Sequence, residues 1–327
     1  MYLHFDQPFL RLPVRFCAEA LAKEVDALPG DAWDPHPTGF IGNEAVRLVS
    51  PNGEPTDALE GLMAATPHLL RCSYIQEIMS ALGGVWGRSR LMGLAAGAEV
   101  PPHVDSNYYW RTHLRIHIPV ITNPAVKFTC GGETVHMAAG ECWLFDSFRP
   151  HDVQNGGSER RIHLVLDTVG SDELWTLAQR AKTEVAEPEL IAPAGSGGAK
   201  LRFERVNRPD VMSPWEIQQH LDFLFGQAQP HQSLDAVRTR LERFVCAWSA
   251  LWAEHGDSGG GIAAYRDLVL EVRRELGALP GGGGIHLSNG KPLYLFLEHV
   301  IFIYALSPEV RAASGLAEAA RPVAVSG

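Results

Sequence analysis

None of the five cysteines (Cys17, Cys72, Cys130, Cys142, Cys246) has a neighbour at the spacing of a zinc site or a disulfide framework. Thiols scattered singly over 327 residues suit a reducing compartment, so a cytoplasmic protein is expected. Lysine and arginine never form a run of five or more, and the formal net charge is −10. Nucleic acid and an anionic membrane surface are therefore not expected as partners. Long apolar runs are also missing. The most apolar late segment, 293–306, carries Glu298 and His299 and falls short of the ~20 residues that span a bilayer. The opening MYLHFDQPFLRLPVRF has neither a basic start nor an unbroken apolar stretch, so it does not read as a signal peptide. What remains is an ordinary globular composition, 46% apolar and 20% charged, long enough for one large domain or two modest ones.

Periodicity divides the chain. Helical spacing over 18–28 (Leu21, Val25, Leu28) and 72–82 surrounds a strand at 45–49. From 90 to 169 the texture becomes short alternating segments, with strands expected at 90–96, 112–121, 126–130, 133–137, 141–146 and 160–168. Many short strands broken by Gly131-Gly132 and Gly156-Gly157 predict an antiparallel barrel or sandwich. After about 208 the texture is helical. Ser213-Pro214-Trp215-Glu216 carries an N-cap, a proline in the first turn and a capping-box glutamate, and 233–255 repeats apolar residues from Leu234 to Trp252. Further helices are expected at 262–277 and 292–306. The division is thus 1–191 as a β domain, 192–208 as a Pro/Gly/Ala-rich linker, 209–316 as a helical domain and 317–327 as a tail.

Three residues carry the chemistry. His103 and Asp105, two apart, point to the same side if the segment is extended, and His151 follows an apolar strand where it opens into a turn. Two histidines and one carboxylate can occupy one face of an octahedral Fe(II), leaving the other face open for co-substrate and oxygen. A His-x-Asp pair in a chain with fourteen histidines is a weak signal alone, and a polar loop after Pro101-Pro102 is the plainer reading. Arg161 adds weight. It alternates with Ile162 in a strand whose other face carries His163, Val165 and Asp167, a face that either meets solvent or lines a pocket where Arg161 forks onto a carboxylate. On a strand over 111–118, Arg111, His113, Arg115 and His117 would share one face and would repel one another unless they surround an anion.

Together these pieces resemble the aspartyl/asparaginyl β-hydroxylase-type family of Fe(II)/2-oxoglutarate oxygenases, and within it the bacterial proline cis-4-hydroxylases. The matching motifs are Pro-His-x-Asp with His103 and Asp105, Arg115-Ile116-His117-Ile118, and His136-Met137 before Gly140-Glu141-x-Trp143-x-x-Asp146. Pro150-His151 and Arg161-x-His163-Leu164-Val165-x-Asp167-x-x-Gly170 complete the set, which spans Pro102 to Gly170. The resemblance implies a mainly β core with flanking helices, a double-stranded β-helix (jelly-roll, cupin-like), followed here by the C-terminal helical region. It implies Fe(II) on His103, Asp105 and His151 and 2-oxoglutarate with its distal carboxylate on Arg161. Arg115 and His117 would then lie near the other carboxylate or the substrate. Arg111-x-His113 repeats the Arg-x-His pattern two residues earlier, so it is the alternative register.

The expected activity is hydroxylation of an aliphatic C–H of an amino acid, free or within a peptide, with release of succinate and CO2. The expected partners are molecular oxygen and a small-molecule or peptide substrate bearing a carboxylate. Asn107, Tyr108, Tyr109, Trp110, Arg111 and His113 are candidates for touching that substrate, with plain packing as the equal alternative for the aromatics. An oxidase or desaturase of natural-product assembly would share every ligand, and a non-catalytic cupin-like binding protein is the contrasting class. The C-terminal helices would cover the barrel mouth or mediate a homodimer.

Overall fold

The computed structural model describes residues 6–183, 187–195, 200–257 and 259–307. The expected tail over 317–327 and the end of the expected helical domain lie outside the described residues. The chain divides into two compact units. One takes in the chain through Asp105 and again Thr112–Asn207; the other takes in Ser106–Arg111 and the chain from Arg208.

The first unit is a double-stranded β-helix with flanking helices. Its larger sheet runs, from one edge, Glu189–Ile191, Phe9–Phe16, Glu141–Phe145, Leu114–Ile121, Arg161–Thr168, Val85–Leu94, Asn43–Pro51 and Asp34–Pro35. The smaller sheet runs Glu99–His103, His151–Asn155, Val126–Cys130 and Glu133–Val135. The hairpin Val126–Cys130/Glu133–Val135 closes on two glycines, Gly131 (φ 57°) and Gly132 (φ 85°), and two successive positive φ values are what a tight type I′ turn demands.

Alternation decides what each face of the larger sheet meets. Ile116, Ile118, Ile162, Leu164 and Leu166 point outward onto helices Ala18–Asp26, Ser73–Leu82 and Asp172–Thr183, where they join Leu21, Val25, Ile75, Ile78 and Leu174 in the main core. The opposite face turns towards the smaller sheet. A second apolar cluster of Phe9, Leu94, Phe128, Cys130, Phe145 and Val153 fills part of that interior. The rest of the interior is polar, and it holds the site.

Three expectations are corrected. Arg111 is not on a strand: Tyr108–Thr112 is a helical turn and the strand begins at Leu114, so only Arg115 and His117 of the four basic residues share a strand face. The expected linker 192–208 is partly sheet, because Arg202–Phe203 pairs in parallel with Val85 and Trp86 and Glu204 N–H donates to the Trp86 carbonyl. The β domain expected over 1–191 also loses Ser106–Arg111 to the helical unit.

The helical unit comprises Pro214–Gln227, Leu234–His255, Ile262–Ala278 and Leu293–Phe296, the last running on into a π-helical turn, Leu297–Phe302. Ser213 Oγ accepts from Glu216 N–H, the N-cap read from the sequence. Val237, Leu241, Phe244, Trp248, Tyr265, Val272 and Phe296 are buried within it, and the Trp248 indole N–H donates to the Met212 carbonyl. No helix among the described residues is long and apolar enough to cross a membrane.

Candidate metal centre and its surroundings

His103 closes the strand Glu99–His103, and His151 opens the strand His151–Asn155 beside it. The two are direct register partners in that antiparallel pair, so their side chains rise from the same face, with ring centroids 4.2 Å apart. Asp105 lies just past the strand end, so its place is not set by strand alternation. Its backbone N–H donates to the Ser147 carbonyl at 3.1 Å, which bends the chain back across the histidines. One ligand atom from each of His103, Asp105 and His151 lies within 4.8 Å of the other two.

The surrounding hydrogen bonds fix the tautomers. His103 Nδ1 lies 2.9 Å from the Pro101 carbonyl and His151 Nδ1 lies 2.9 Å from the Arg149 carbonyl. A carbonyl only accepts, so both Nδ1 atoms carry the proton and both Nε2 atoms keep a bare lone pair. Burial pushes the His151 imidazole down to about 4, against the opposing pull of Asp105, so it is neutral near pH 7. Asp105 Oδ2 is buried without a hydrogen-bond partner. Two imidazole Nε2 atoms and one carboxylate oxygen without a hydrogen bond form a donor set that fits a divalent iron.

Behind the triad stand Arg115 and Asp167, register partners on neighbouring strands. Arg115 Nε donates to Asp167 Oδ1 at 2.9 Å and Nη2 to Oδ2 at 3.3 Å, while Nη1 lies 3.8 Å from Asp105 Oδ2. Burial alone would raise the Asp167 carboxyl, but Arg115 beside it holds it below the ordinary range. Arg115 thus spends Nε and Nη2 on Asp167, and Nη1 is its part nearest the metal donors.

Arg161 is in the opposite condition. It is 4% exposed, its Nε and Nη2 have no hydrogen-bond partner, and no carboxylate among the described residues pairs with it. Burial pulls its guanidinium down to about 9. The strand face that could have met solvent is buried along its whole length, which removes the solvent-facing reading for Arg161, His163 and Asp167. His117 sits on that face between Phe128 and Phe145, with ring centroids 5.2 and 5.3 Å away, and its Nδ1 lies 3.4 Å from His163 Nδ1. Burial first, then Arg161 and Arg115, depress the His117 pKa and keep the ring neutral.

The candidate substrate residues 107–111 make contacts within the helical unit. Asn107 Nδ2 donates to the Tyr304 hydroxyl, Tyr108 donates to Glu216 Oε1 at 2.6 Å and stacks on Tyr304, and Arg111 lies 3.5 Å from the centre of the Phe223 ring. Tyr109 packs edge-on to Trp110 at 4.8 Å. All are packing of the helical unit. His113, back in the β unit, is buried against Glu204 at 2.6 Å. The sequence reading passed over Arg88 and Arg90, and with them His36, Asp57 and Arg47. A signal was available, since Arg88-Ser89-Arg90 alternates charge in a segment with strand character.

Comparison with known proteins places these motifs. The family model described as Aspartyl/Asparaginyl beta-hydroxylase matches residues 53–170, which upholds the resemblance read from the motifs. The L-proline cis-4-hydroxylase of Rhizobium meliloti (strain 1021) is 29% identical over 105 residues, 32% of this chain and 38% of the relative. The chain thus matches well under half the length of that relative. Among solved structures, a Pseudomonas putida prolyl-4-hydroxylase aligns over 50% of this chain and 93% of its own at 13% identity and a TM-score of 0.34. An oxidoreductase of the 2OG-Fe(II) oxygenase family from Burkholderia pseudomallei aligns over 47% and 78%, at 16% identity and a TM-score of 0.33.

Proposed function

We propose that this chain is an Fe(II)/2-oxoglutarate-dependent dioxygenase that hydroxylates an aliphatic C–H of an amino acid. The observation that carries the reading is the pairing of a complete His103–Asp105–His151 donor set with Arg161, a buried guanidinium that no carboxylate among the described residues pairs with. A metal site alone fits many cupin-like proteins. A lone buried cation on the same interior face calls for a carboxylate ligand, because burying an unpaired charge is costly. The match to the aspartyl/asparaginyl family and the similarity to a proline hydroxylase point the same way.

His103 and His151 would hold the iron through Nε2 and Asp105 through its carboxylate. Bound iron, with 2-oxoglutarate, supplies oxygen activation coupled to breakdown of the keto acid to succinate and CO2, and transfer of one oxygen atom to the substrate. The chain's own part is placement. Pro101 and Arg149 carbonyls hold both imidazoles in the ligating tautomer. Arg115 steadies Asp105 from behind. Arg161 takes the far carboxylate of the co-substrate in a charge-assisted fork. Phe128 and Phe145 wall His117 and His151 and keep bulk water from the metal's protein side.

The test is an anaerobic titration of Fe(II) and 2-oxoglutarate into the metal-free protein, read as the weak visible charge-transfer band of the chelate. A band that needs both additions is expected. Tight iron binding with no band on adding 2-oxoglutarate would reduce the protein to a cupin-type metal site.

A further inference from the structure

The interior face of the larger sheet carries a second group of cations that the metal centre and the co-substrate do not use. Arg90 is a register partner of Val165, and Val165 is a partner of His117, so the three side chains lie in one row across neighbouring strands. Arg161 pairs with Leu94, four positions further along the same strand pair, or about 13 Å away at strand rise. One 2-oxoglutarate cannot reach both arginines. The centre with its Arg115 brace lies on the same face as both.

Arg90 is 3% exposed. Its Nη1 lies 3.0 Å from His36 Nε2. A guanidinium cannot accept, so His36 Nε2 is the acceptor. His36 is neutral: burial, then Arg90 and Arg88, push its pKa down to about 3. Among the described residues the carboxylate that pairs with Arg90 is Asp57, whose Oδ1 lies 3.6 Å away, beyond hydrogen-bond distance, while its Oδ2 accepts from Arg47 Nη2 at 2.5 Å. Arg88 and Arg115 stand close enough to oppose the charge on Arg90 further. Arg88 itself lies 3.8 Å from Asp167, whose two oxygens already accept from Arg115. Arg90 is thus a buried cation whose hydrogen-bonded partner is neutral and whose nearest carboxylate is shared with Arg47.

The geometry points to Arg90, aligned by His36 and backed by Arg88, as the receptor for the substrate's own carboxylate, so that the substrate is a free amino acid with an unblocked α-carboxylate. This rests on the dioxygenase reading and narrows it. The two acids are sorted by position: the co-substrate goes to Arg161 at one end of the strand pair and the substrate to Arg90 at the other. A residue inside a peptide has no α-carboxylate to offer and would leave Arg90 buried without its anion.

The experiment uses the full chain loaded anaerobically with Fe(II) and 2-oxoglutarate. Each of the twenty L-amino acids and its primary amide is added in turn, and the chelate band is followed for the perturbation that substrate binding causes. At least one free acid should shift the band while its amide does not. In Arg90→Gln the half-saturating concentration of that acid should rise roughly thirtyfold or more, with 2-oxoglutarate affinity unchanged. Arg90→Lys, which keeps the charge and loses the fork, should fall between. It also serves if Arg90→Gln fails to fold, which a missing chelate band would reveal. Equal response to acid and amide, response only to peptides with blocked ends, no response to any free acid, or wild-type affinity in either variant would overturn the assignment. Failure of the chelate band to form in the wild-type protein would instead remove the dioxygenase reading beneath it.

Discussion

His103 and His151 face each other as register partners across two antiparallel strands, and each has its Nδ1 tied to the carbonyl two residues before it. The site is therefore half built by sheet pairing before any metal arrives. Removing one histidine leaves the other in place but one donor short. His151→Ala should lose iron affinity by more than the ~10–100-fold that loss of a mere supporting contact costs. The check is Fe(II) titration of the purified variant, with circular dichroism to show an intact sheet. Iron binding at wild-type affinity would remove the triad assignment.

Arg161 gives a prediction in which stability and binding move in opposite directions. The ligand-free fold bears the cost of a buried cation without a partner, so Arg161→Met should raise the melting temperature of the metal-free protein while abolishing 2-oxoglutarate binding, with iron retained. The sign with pH follows from a folded value of about 9, below the ordinary arginine range. A base depressed in the fold penalises it while charged, fully below pH 9, and the penalty fades as pH rises above 9 towards the ordinary range. The melting gap between variant and wild type should narrow over that window. Affinity for 2-oxoglutarate should fall as the guanidinium loses its charge. A variant that melts lower than wild type at neutral pH would mean that Arg161 has a structural partner.

The sequence made the strands legible where alternation was clean: 126–130 coincides with Val126–Cys130, and 160–168 differs from Arg161–Thr168 by one residue. Where the chain leaves the sheet between two strands, alternation misleads. Arg111 and His113 continue the pattern of Arg115 and His117 in the sequence, yet 106–111 leaves the sheet and packs its side chains within the helical unit. Nothing local marks that departure. The linker reading failed for a related reason, because Pro, Gly and Ala around 192–198 signal a break without saying that Arg202–Phe203 returns to the sheet edge. His103, Asp105, His151 and Arg161 were legible because metal and anion chemistry restricts residue types. Arg90 escaped because the alternating Arg88-Ser89-Arg90 looks like one solvated strand face until its neighbours are known.

Asp167 should prove structural and functional together. It is 1% exposed, accepts the fork of Arg115 and lies 3.8 Å from Arg88. Asp167→Asn keeps the shape but leaves buried guanidiniums without its charge. Removing one partner of a buried pair costs about 3–5 kcal/mol, read as the shift in urea midpoint at constant slope. With Arg115 released from its anchor, iron affinity should drop by about 10–100-fold, the scale for a supporting contact. A change under about 0.5 kcal/mol would show that Arg115 and Arg88 are satisfied elsewhere.

Cutting the chain near residue 200 should not yield an active barrel, although the Pro/Gly-rich stretch at 192–198 invites the cut. The fragment would lose Arg202–Phe203 from the sheet, and His113, buried at 2.6 Å from Glu204, would lose its acceptor. It would also carry Tyr108, Tyr109 and Arg111, buried in the full chain, without the helical residues Glu216, Phe223 and Tyr304 that enclose them. That segment begins one peptide bond after Asp105, so disorder in it reaches the metal ligand directly. Insoluble or inactive 1–200 protein is the expected result, measured by size-exclusion chromatography and by the chelate band. Extending the fragment to 207 should restore the sheet edge and the His113–Glu204 pair but still leave Ser106–Arg111 without its packing, so iron affinity should remain reduced. A soluble 1–200 fragment with full iron affinity would show that the helical unit and the last strand are both dispensable to the centre.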